Sequence, residues 1–160
     1  EIFYFLSHIL GKAILFSTAG IPVYTTHTRD LRKMGGLWSQ MPLTTVLWMA
    51  AALTLSALPP TSGFVGKWMM FTGAFQALKS HPGGVIFVSV AILSTLLTLV
   101  YTFLVGIRIF FGPLKMDSEH IKDPPLTMSL TILAFAALAI VLGLYPAPVL
   151  DLFSMIIKGV

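Results

Sequence analysis

Two groups of residues in this sequence combine side-chain types and spacing suited to proton chemistry. The first is His8 and Lys12, four residues apart in the apolar stretch "EIFYFLSHILGKAILF". On a helix this spacing puts both on one face, close enough to exchange a proton through one water. Glu1 falls within about 40° of the pair, with Tyr4 on the adjoining flank. This pattern predicts a face of four protonatable or hydrogen-bonding groups, the alternative being that His8 is bonded to a neighbouring helix.

The second group is Lys67 and the proline pair before it, in "SALPPTSGFVGKWMMF". Pro59 and Pro60 lack the amide hydrogens that would bond the carbonyls of Leu55 and Ser56 in a continuous helix. The sequence therefore predicts a helix break with two freed carbonyls. Lys67 lies about 10 Å beyond the break along the second arm.

Small residues beyond the prolines are typical of such a break. Gly63 and Gly66 would let a neighbouring helix or water approach, and Ser56, Thr61 and Ser62 can satisfy exposed backbone groups. Half-helix ends of this kind form ion sites in many transporters. A packing kink with no ion nearby is the alternative.

The elements that position these residues must be membrane helices. Hydrophobic residues make up 56% of the chain and charged residues only 10%. The net charge of +4 comes from basic residues in short connections, which does not suggest nucleic-acid binding. The chain has no cysteine, and its four histidines are too scattered for a local ligand pair. We therefore expect no metal and no cofactor.

Four apolar segments define an all-α fold of polytopic transmembrane helices, in a single domain that covers residues 1–160. The spans are predicted at about 2–24, 42–78, 84–108 and 125–146, followed by an amphipathic tail at 147–160. The second span is discontinuous, broken at 59–63. As one straight helix it would extend about 55 Å, against about 30 Å of hydrocarbon.

Loop charges favour one discontinuous crossing over a hairpin of two. With a single crossing, the loops at 25–41 and 109–124 share one side, and basic residues divide six against two between the sides. In a hairpin arrangement the loop cations divide four against three, which gives almost no bias. The positive-inside rule then places both loops in the cytoplasm and both chain ends outside. We expect a multi-pass protein of a prokaryotic cell (inner) membrane.

Of the ten lysine and arginine residues, only Lys12 and Lys67 lie well inside apolar spans. Each costs about 2.5 to 3.5 kcal/mol on insertion scales, so both are candidates for function. The spans contain no carboxylate that would keep Lys67 permanently charged, so it can lose and regain a proton. The same lack of carboxylates disfavours a sodium site, because hard cations prefer oxygen ligands.

Three stretches together resemble one family. "SHILGKAILFSTAG", "TRDLRKMGGLWSQMPLTT" and "LSALPPTSGFVGKWMMF" are similar to the C-terminal part of the antiporter-like subunits shared by respiratory complex I, the multisubunit cation/proton antiporters and the energy-converting membrane-bound hydrogenases. The resemblance implies a fold of about fourteen helices in two inverted repeats, of which this chain covers the last four. It also implies that Lys67 is the broken-helix lysine, and that Lys12 and His8 belong to a central hydrophilic axis. Tyr4 occupies a position where many members have a second histidine.

From the residues and the resemblance we expect a proton-translocating subunit, or the C-terminal portion of one, in a redox-driven pump or cation/proton antiporter complex. No catalytic site of its own is expected, so within an oxidoreductase it would be a non-redox membrane subunit. The expected partners are the lipid bilayer, protons and other membrane subunits, including a missing N-terminal half. The alternative is a structural, non-conducting membrane subunit whose lysines pair with acids on partner helices.

Overall fold

The computed structural model describes residues 2–77, 84–115 and 121–159, with the side chain of Lys158 excepted. In these ranges the regular structure is helical, as the composition predicts. The α-helices are α1 (Ile2–Thr26), α2 (Pro42–Leu55), α3 (Ser62–Ala77), α4 (Gly84–Phe110), α5 (Leu126–Leu144) and α6 (Ala147–Lys158), and a 3-10 turn covers Leu37–Ser39. Glu1, Lys79, His81 and His120 lie outside the described residues.

Three of the described helices are long and apolar enough to cross a membrane, namely α1, α4 and α5. Their lengths of 25, 27 and 19 residues match or exceed what about 30 Å of hydrocarbon requires. Large apolar side chains remain exposed along α4 and α5, including Leu97, Leu130 and Leu144. Exposed side chains of this kind fit a lipid environment, so the chain is a multi-pass membrane protein.

The region of the expected second span contains two shorter helices, α2 of 14 residues and α3 of 16. Pro42 opens α2, where its missing N–H removes no helical hydrogen bond. The chain is non-helical from residue 56 to 61, which includes Pro59 and Pro60. Each helix is therefore shorter than the roughly 20 residues that a straight span needs.

The largest apolar core surrounds α2, which packs against α1, α4 and α5. Trp48 of α2 is buried, and its ring lies 5.7 Å from that of Phe110 at the end of α4. Its indole Nε1 donates to the Thr102 carbonyl at 3.3 Å. Gly106 makes room for the indole, because a Cβ there would lie 2.5 Å from Nε1. Apolar packing and one indole hydrogen bond thus fix α2 against α4.

The amino end of α2 is capped by a residue that is distant in sequence. The Asp123 carboxylate accepts hydrogen bonds from the backbone N–H groups of Leu43 and Thr44, both at 3.0 Å, and from the Thr44 hydroxyl at 2.6 Å. A carboxylate here satisfies amides that have no partner within the helix and complements the helix dipole. The segment before α5 is thereby attached to the start of α2.

The loop after α1 also contacts the loop after α4. The backbone N–H of Gly36 donates to the Phe111 carbonyl at 3.2 Å, and Lys115 Nζ donates to the Arg32 carbonyl at 3.2 Å. Gly36 has a φ of 67°, and a Cβ on it would lie 2.6 Å from the Leu114 nitrogen. Glycine is therefore required where the two loops meet. Both loops lie at the end of the molecule where α2 begins.

Candidate functional site at the helix break

The Leu55 carbonyl has lost its helical partner, because Pro59 has no N–H to donate. Lys67 Nζ donates to this carbonyl instead, at 3.2 Å. The side chain reaches back from the second turn of α3 to the last residue of α2. The break and the lysine therefore form one unit, in which a freed backbone acceptor binds the Lys67 side chain.

A hydroxyl on α4 supplies a second acceptor for Lys67. Nζ donates to Thr95 Oγ1 at 3.2 Å, and that hydroxyl in turn donates to the Ala91 carbonyl at 3.0 Å. Only 8% of the surface of Lys67 is exposed. Among the described residues no carboxylate lies within ion-pair distance of its ammonium group. Neutral oxygens rather than a counter-ion therefore stabilise its charged form.

The other side of the break is closely packed against α5 and α1. A Cβ on Gly143 of α5 would collide with the backbone of Pro60 and would lie 2.7 Å from the Ser62 nitrogen. Ser7 of α1 donates its hydroxyl to the Ser62 carbonyl at 3.2 Å. Non-helical backbone at membrane depth is tolerated only where protein or a water-filled cavity surrounds it. Here protein surrounds it on the α1 and α5 side.

On the α4 side, Lys67 borders a cavity of about 300 Å³ between α1, α3 and α4. The polar residues that line it are Tyr4, His8, Lys12, Lys67, Ser94, Thr95, Thr98 and Tyr101. The rings of Tyr4 and His8 are 5.8 Å apart. One water occupies about 30 Å³ in the liquid, and these side chains offer several hydrogen-bond partners, so the cavity is large and polar enough for a group of waters.

Four of the five residues that the sequence singled out for proton chemistry line this cavity, namely Tyr4, His8, Lys12 and Lys67. They differ in burial, because Lys67 is buried, Tyr4 and His8 are half-buried and Lys12 is exposed. Glu1, which the sequence places on the same face, lies outside the described residues.

The two glycines after the break face neighbouring backbone rather than the cavity. A Cβ on Gly63 would collide with the Thr54 carbonyl of α2. A Cβ on Gly66 would lie 2.9 Å from the Tyr4 Cα of α1. Gly66 therefore lets α1 come close to α3, which brings the lining residues of α1 and the lysine of α3 to the same cavity.

Sequence reasoning missed the contribution of α4. Ser94, Thr98 and Tyr101 recur at intervals of four and three residues, which puts them on one helix face, and Thr95 adjoins it. That spacing within a long apolar run was the available signal. It marks a polar stripe that a wholly lipid-facing helix would not need.

The site offers an amine, an imidazole and phenols that can exchange protons, together with hydroxyls that can pass hydrogen bonds between them. Metal chemistry finds less support, because no group of three or more histidine, aspartate or glutamate side chains comes together in the described part of the chain. The arrangement suits movement of protons better than binding of a metal ion.

The sequence profile of the family described as NADH:quinone oxidoreductase/Mrp antiporter, transmembrane, matches residues 1–98. The chain belongs to this family. The match includes α1, the helix break and the part of α4 that lines the cavity through residue 98. The family resemblance drawn from the sequence motifs is therefore confirmed.

Named relatives come from more than one kind of complex. The chain is 34% identical over 155 residues to NADH-quinone oxidoreductase subunit M of Pseudomonas aeruginosa, covering 97% of this chain and 29% of that protein. It is 32% identical over 152 residues to a Na(+)/H(+) antiporter subunit of Alkalihalophilus pseudofirmus, covering 91% of this chain and 19% of that protein. The chain thus spans less than a third of the length of these relatives.

The fold is also similar to that of a solved structure. A chain of the Mrp complex from Dietzia sp. superposes with a TM-score of 0.80 at 26% sequence identity. The alignment covers 94% of this chain and 35% of that chain. The helix arrangement is therefore one that occurs within a multisubunit membrane complex.

Proposed function

We propose that this chain is part of a membrane subunit that translocates protons, in a redox-driven pump or a cation/proton antiporter complex. The observation that carries the proposal is the cavity between α1, α3 and α4, which is bordered by Tyr4, His8, Lys12 and Lys67. The relatives are named as subunits of an NADH-quinone oxidoreductase and of a Na(+)/H(+) antiporter, which supports membrane transport of this kind.

In this proposal Lys67 is the group that gains and loses the proton. As an ammonium it donates to the Leu55 carbonyl and to Thr95 Oγ1, which are both neutral acceptors. As a neutral amine it can accept a hydrogen bond from water in the cavity. Because no described carboxylate fixes its charge, either state is compatible with the surroundings. Pro59 contributes by freeing the Leu55 carbonyl.

His8 and Lys12 continue the relay along α1, one helical turn apart, with Tyr4 one turn before His8. The imidazole can donate from one nitrogen while it accepts at the other, so it can receive a proton on one side and release it on the other. Tyr4, whose ring is next to His8, supplies a hydroxyl for the same hydrogen-bonded chain. Waters in the cavity would connect these groups with Lys67.

We propose that α1 is covered by polypeptide outside this chain. Lys12 is exposed and His8 is half-exposed on a helix apolar enough to cross a membrane. A lysine facing lipid costs about 2.5 to 3.5 kcal/mol on insertion scales, so a polar or protein environment is expected there. We assign this role to the remainder of the subunit, including an N-terminal half related as an inverted repeat, together with other membrane subunits.

We propose four crossings, with α2 and α3 together forming one discontinuous crossing. The contacts between the two loops, Gly36 to Phe111 and Lys115 to Arg32, support this arrangement. A hairpin of two crossings would put these loops on opposite sides of the membrane. In this proposal both loops, at 25–41 and 109–124, lie in the cytoplasm of a prokaryotic cell and the chain lies in its inner membrane, and the basic residues of the loops support that orientation.

A structural, non-conducting subunit is the second candidate, and one observation favours it. Lys67 Nζ joins the end of α2 to α4 through two hydrogen bonds, so the lysine also braces the break. A brace needs only a permanent positive charge of suitable reach, whereas a relay needs a group that titrates. Arginine, which stays charged in proteins, separates the two roles.

The deciding experiment measures proton pumping by the parent complex in proteoliposomes, with the driving reaction recorded alongside. The chain carries Lys67→Ala or Lys67→Arg, and Lys33→Ala and Lys33→Arg in an exposed loop are the matched controls. We expect both Lys67 variants to assemble and to pump about a hundredfold more slowly or worse, since a proton-transfer group contributes about 10²- to 10⁴-fold. Normal pumping by Lys67→Arg would instead establish the structural role.

A further inference from the structure

A second cavity is lined by none of the proposed relay residues. It has a volume of about 540 Å³ and is formed by the loop after α1, the end of α4 and the loop that follows α4. Three cationic side chains line it, Arg32, Arg108 and Lys115, and no carboxylate is among its described lining residues. Its volume is in the range of about 300 to 1,000 Å³ typical of ligand pockets.

The two loops that form this cavity are held in a defined arrangement. Lys115 Nζ donates to the Arg32 carbonyl at 3.2 Å, which fixes one cation at the rim. Gly35 lies under the second loop, where a Cβ would be 2.9 Å from the Pro113 carbonyl oxygen. The cations therefore converge because of backbone contacts between the loops, and they are not merely close in sequence.

One carboxylate lies nearby. Asp30 pairs with Arg32, with 3.3 Å between Oδ1 and Nε. The arginine side chain is 92% exposed, so solvent screens this pair and it contributes little. With Asp30 counted, the described charges around the cavity still carry a net charge of +2 from three cations and one anion. The cavity is thus suited to an anion.

Its position and apolar surface point to a lipid rather than a soluble anion. Arg108 is in the last turn of α4, where the apolar helix ends. Trp38 stacks on Phe111 at this level, with ring centroids 6.3 Å apart, and aromatic residues of this kind are typical of the membrane interface. Exposed apolar side chains lead from the cavity along one face of α4, beginning at Phe111 just beyond its end and continuing with Ile107, Leu104 and Val100.

We propose that this cavity binds the anionic headgroup of a membrane phospholipid. The headgroup phosphate lies among Arg32, Arg108 and Lys115, and an acyl chain follows the exposed face of α4. Arginine can donate two parallel hydrogen bonds to a phosphate, which lysine cannot, so Arg108 provides orientation and Lys115 adds charge. Basic pockets between membrane helices on the cytoplasmic side are suited to such headgroups. The bound lipid would join the two loops and close the gap between them where the helix leaves the membrane.

The test is site-specific photocrosslinking in the assembled parent complex. A benzophenone amino acid replaces Ile107, which lines the cavity and is 50% exposed. The complex is reconstituted in phosphatidylcholine that contains a minor fraction of phosphatidylglycerol, and lipids crosslinked to this chain are identified by mass spectrometry. We expect phosphatidylglycerol to be enriched over its bulk share by about fivefold for each contributing cation.

Matched charge variants decide whether the cavity causes the enrichment of phosphatidylglycerol. Combining Arg108→Gln with Lys115→Gln removes two of the three cations and should lower the enrichment by about 25-fold, at about fivefold for each cation. Combining Arg29→Gln with Lys33→Gln, which removes the same charges from positions that do not line the cavity, should leave the enrichment unchanged. An equal loss of enrichment in both double variants would overturn the proposal, because it would indicate only a general attraction of anionic lipid to the basic surface of the protein.

Two further outcomes would also contradict it. Crosslinks to a partner protein instead of lipid would identify the cavity as a protein interface. Abolition of the enrichment by added inorganic phosphate would identify a site for a soluble anion. Neither result depends on proton pumping, so this test is independent of the proposed transport role.

Discussion

The two ends of α2 are both satisfied by charged side chains, but in different ways. At the amino end Asp123 accepts three hydrogen bonds, two of them from backbone N–H groups in the first turn. At the carboxyl end Lys67 donates to a single backbone carbonyl, that of Leu55, and to the hydroxyl of Thr95 on another helix. Both charges complement the helix dipole, negative at the start and positive at the end.

The difference lies in what surrounds each charge. Asp123 is held by fixed donors of the helix that it caps, so the contact serves stability. Lys67 borders a polar cavity that it shares with other protonatable side chains. A charged side chain at a helix end therefore makes a permanent contact at the amino end, whereas at the carboxyl end the proposed function gives it an exchangeable proton. This comparison can be tested by changing each end separately.

The largest effect on stability is expected from the packing that supports the carboxyl end. Gly143→Ala places a methyl group against the backbone of Pro60 and Ser62, which cannot move aside as a flexible side chain would. Overpacking of this kind costs about 1–3 kcal/mol. The midpoint of thermal unfolding of the complex in detergent should fall, and proton pumping should fall with it.

Gly73→Ala is the matched control for Gly143→Ala. Gly73 lies in α3, and a Cβ there would have no neighbour within 4 Å. This substitution should leave unfolding and pumping close to wild type, or raise stability slightly because alanine is the better helix former. If both alanine variants unfolded alike, close packing by α5 would not be what holds the break.

A smaller effect is expected from the amino end of α2. Asp123→Ala removes a cap whose loss costs about 1–2 kcal/mol, within the range for helix-capping side chains. We expect a lower unfolding midpoint with pumping per assembled complex unchanged. Asp151→Ala removes an exposed carboxylate from α6 and is the control. Loss of pumping without loss of stability in Asp123→Ala would mean that the two ends of α2 do not have separate roles.

The sequence predicted the features of the site that follow from local rules. Pro59 frees the carbonyl of Leu55 whatever the tertiary structure, and an interval of four residues puts His8 and Lys12 on one face of any helix. Both depend only on backbone geometry. The family motifs around these residues added the expectation that Lys67 is the broken-helix lysine and that His8 belongs to a central hydrophilic axis. In the structure both residues line the same cavity.

The partners of these residues could not be predicted in the same way. Thr95 is 28 residues from Lys67, and Asp123 is about 80 residues from the amides that it caps. Which helices meet is decided by packing, such as Gly66 against Tyr4, and no short pattern encodes it. The stripe of hydroxyls on α4 could have been recognised from its spacing. The spacing alone, however, does not say which helix the stripe faces.

The finest test of the comparison concerns the second acceptor of Lys67. Thr95→Val keeps the shape of the side chain but removes the hydroxyl, which leaves Nζ with the Leu55 carbonyl as its described acceptor. The net contribution of one hydrogen bond is about 0.5–1.5 kcal/mol, so pumping should fall by about two- to tenfold and its pH profile should move. Thr95→Ser, which restores the hydroxyl, should recover both.

Thr98→Val provides the control for Thr95→Val, because Thr98 lines the same cavity but donates its hydroxyl to the Ser94 carbonyl at 2.8 Å. It should leave the pH profile unchanged. If Thr95→Val and Thr98→Val lowered pumping equally, the hydroxyls would matter only as a polar lining. If Thr95→Val instead left the pH profile unchanged, and Thr95→Ser did not recover pumping, the Leu55 carbonyl alone would sustain the charged form of Lys67. The carboxyl end of α2 would then resemble the amino end, with a charge held mainly by backbone groups of α2.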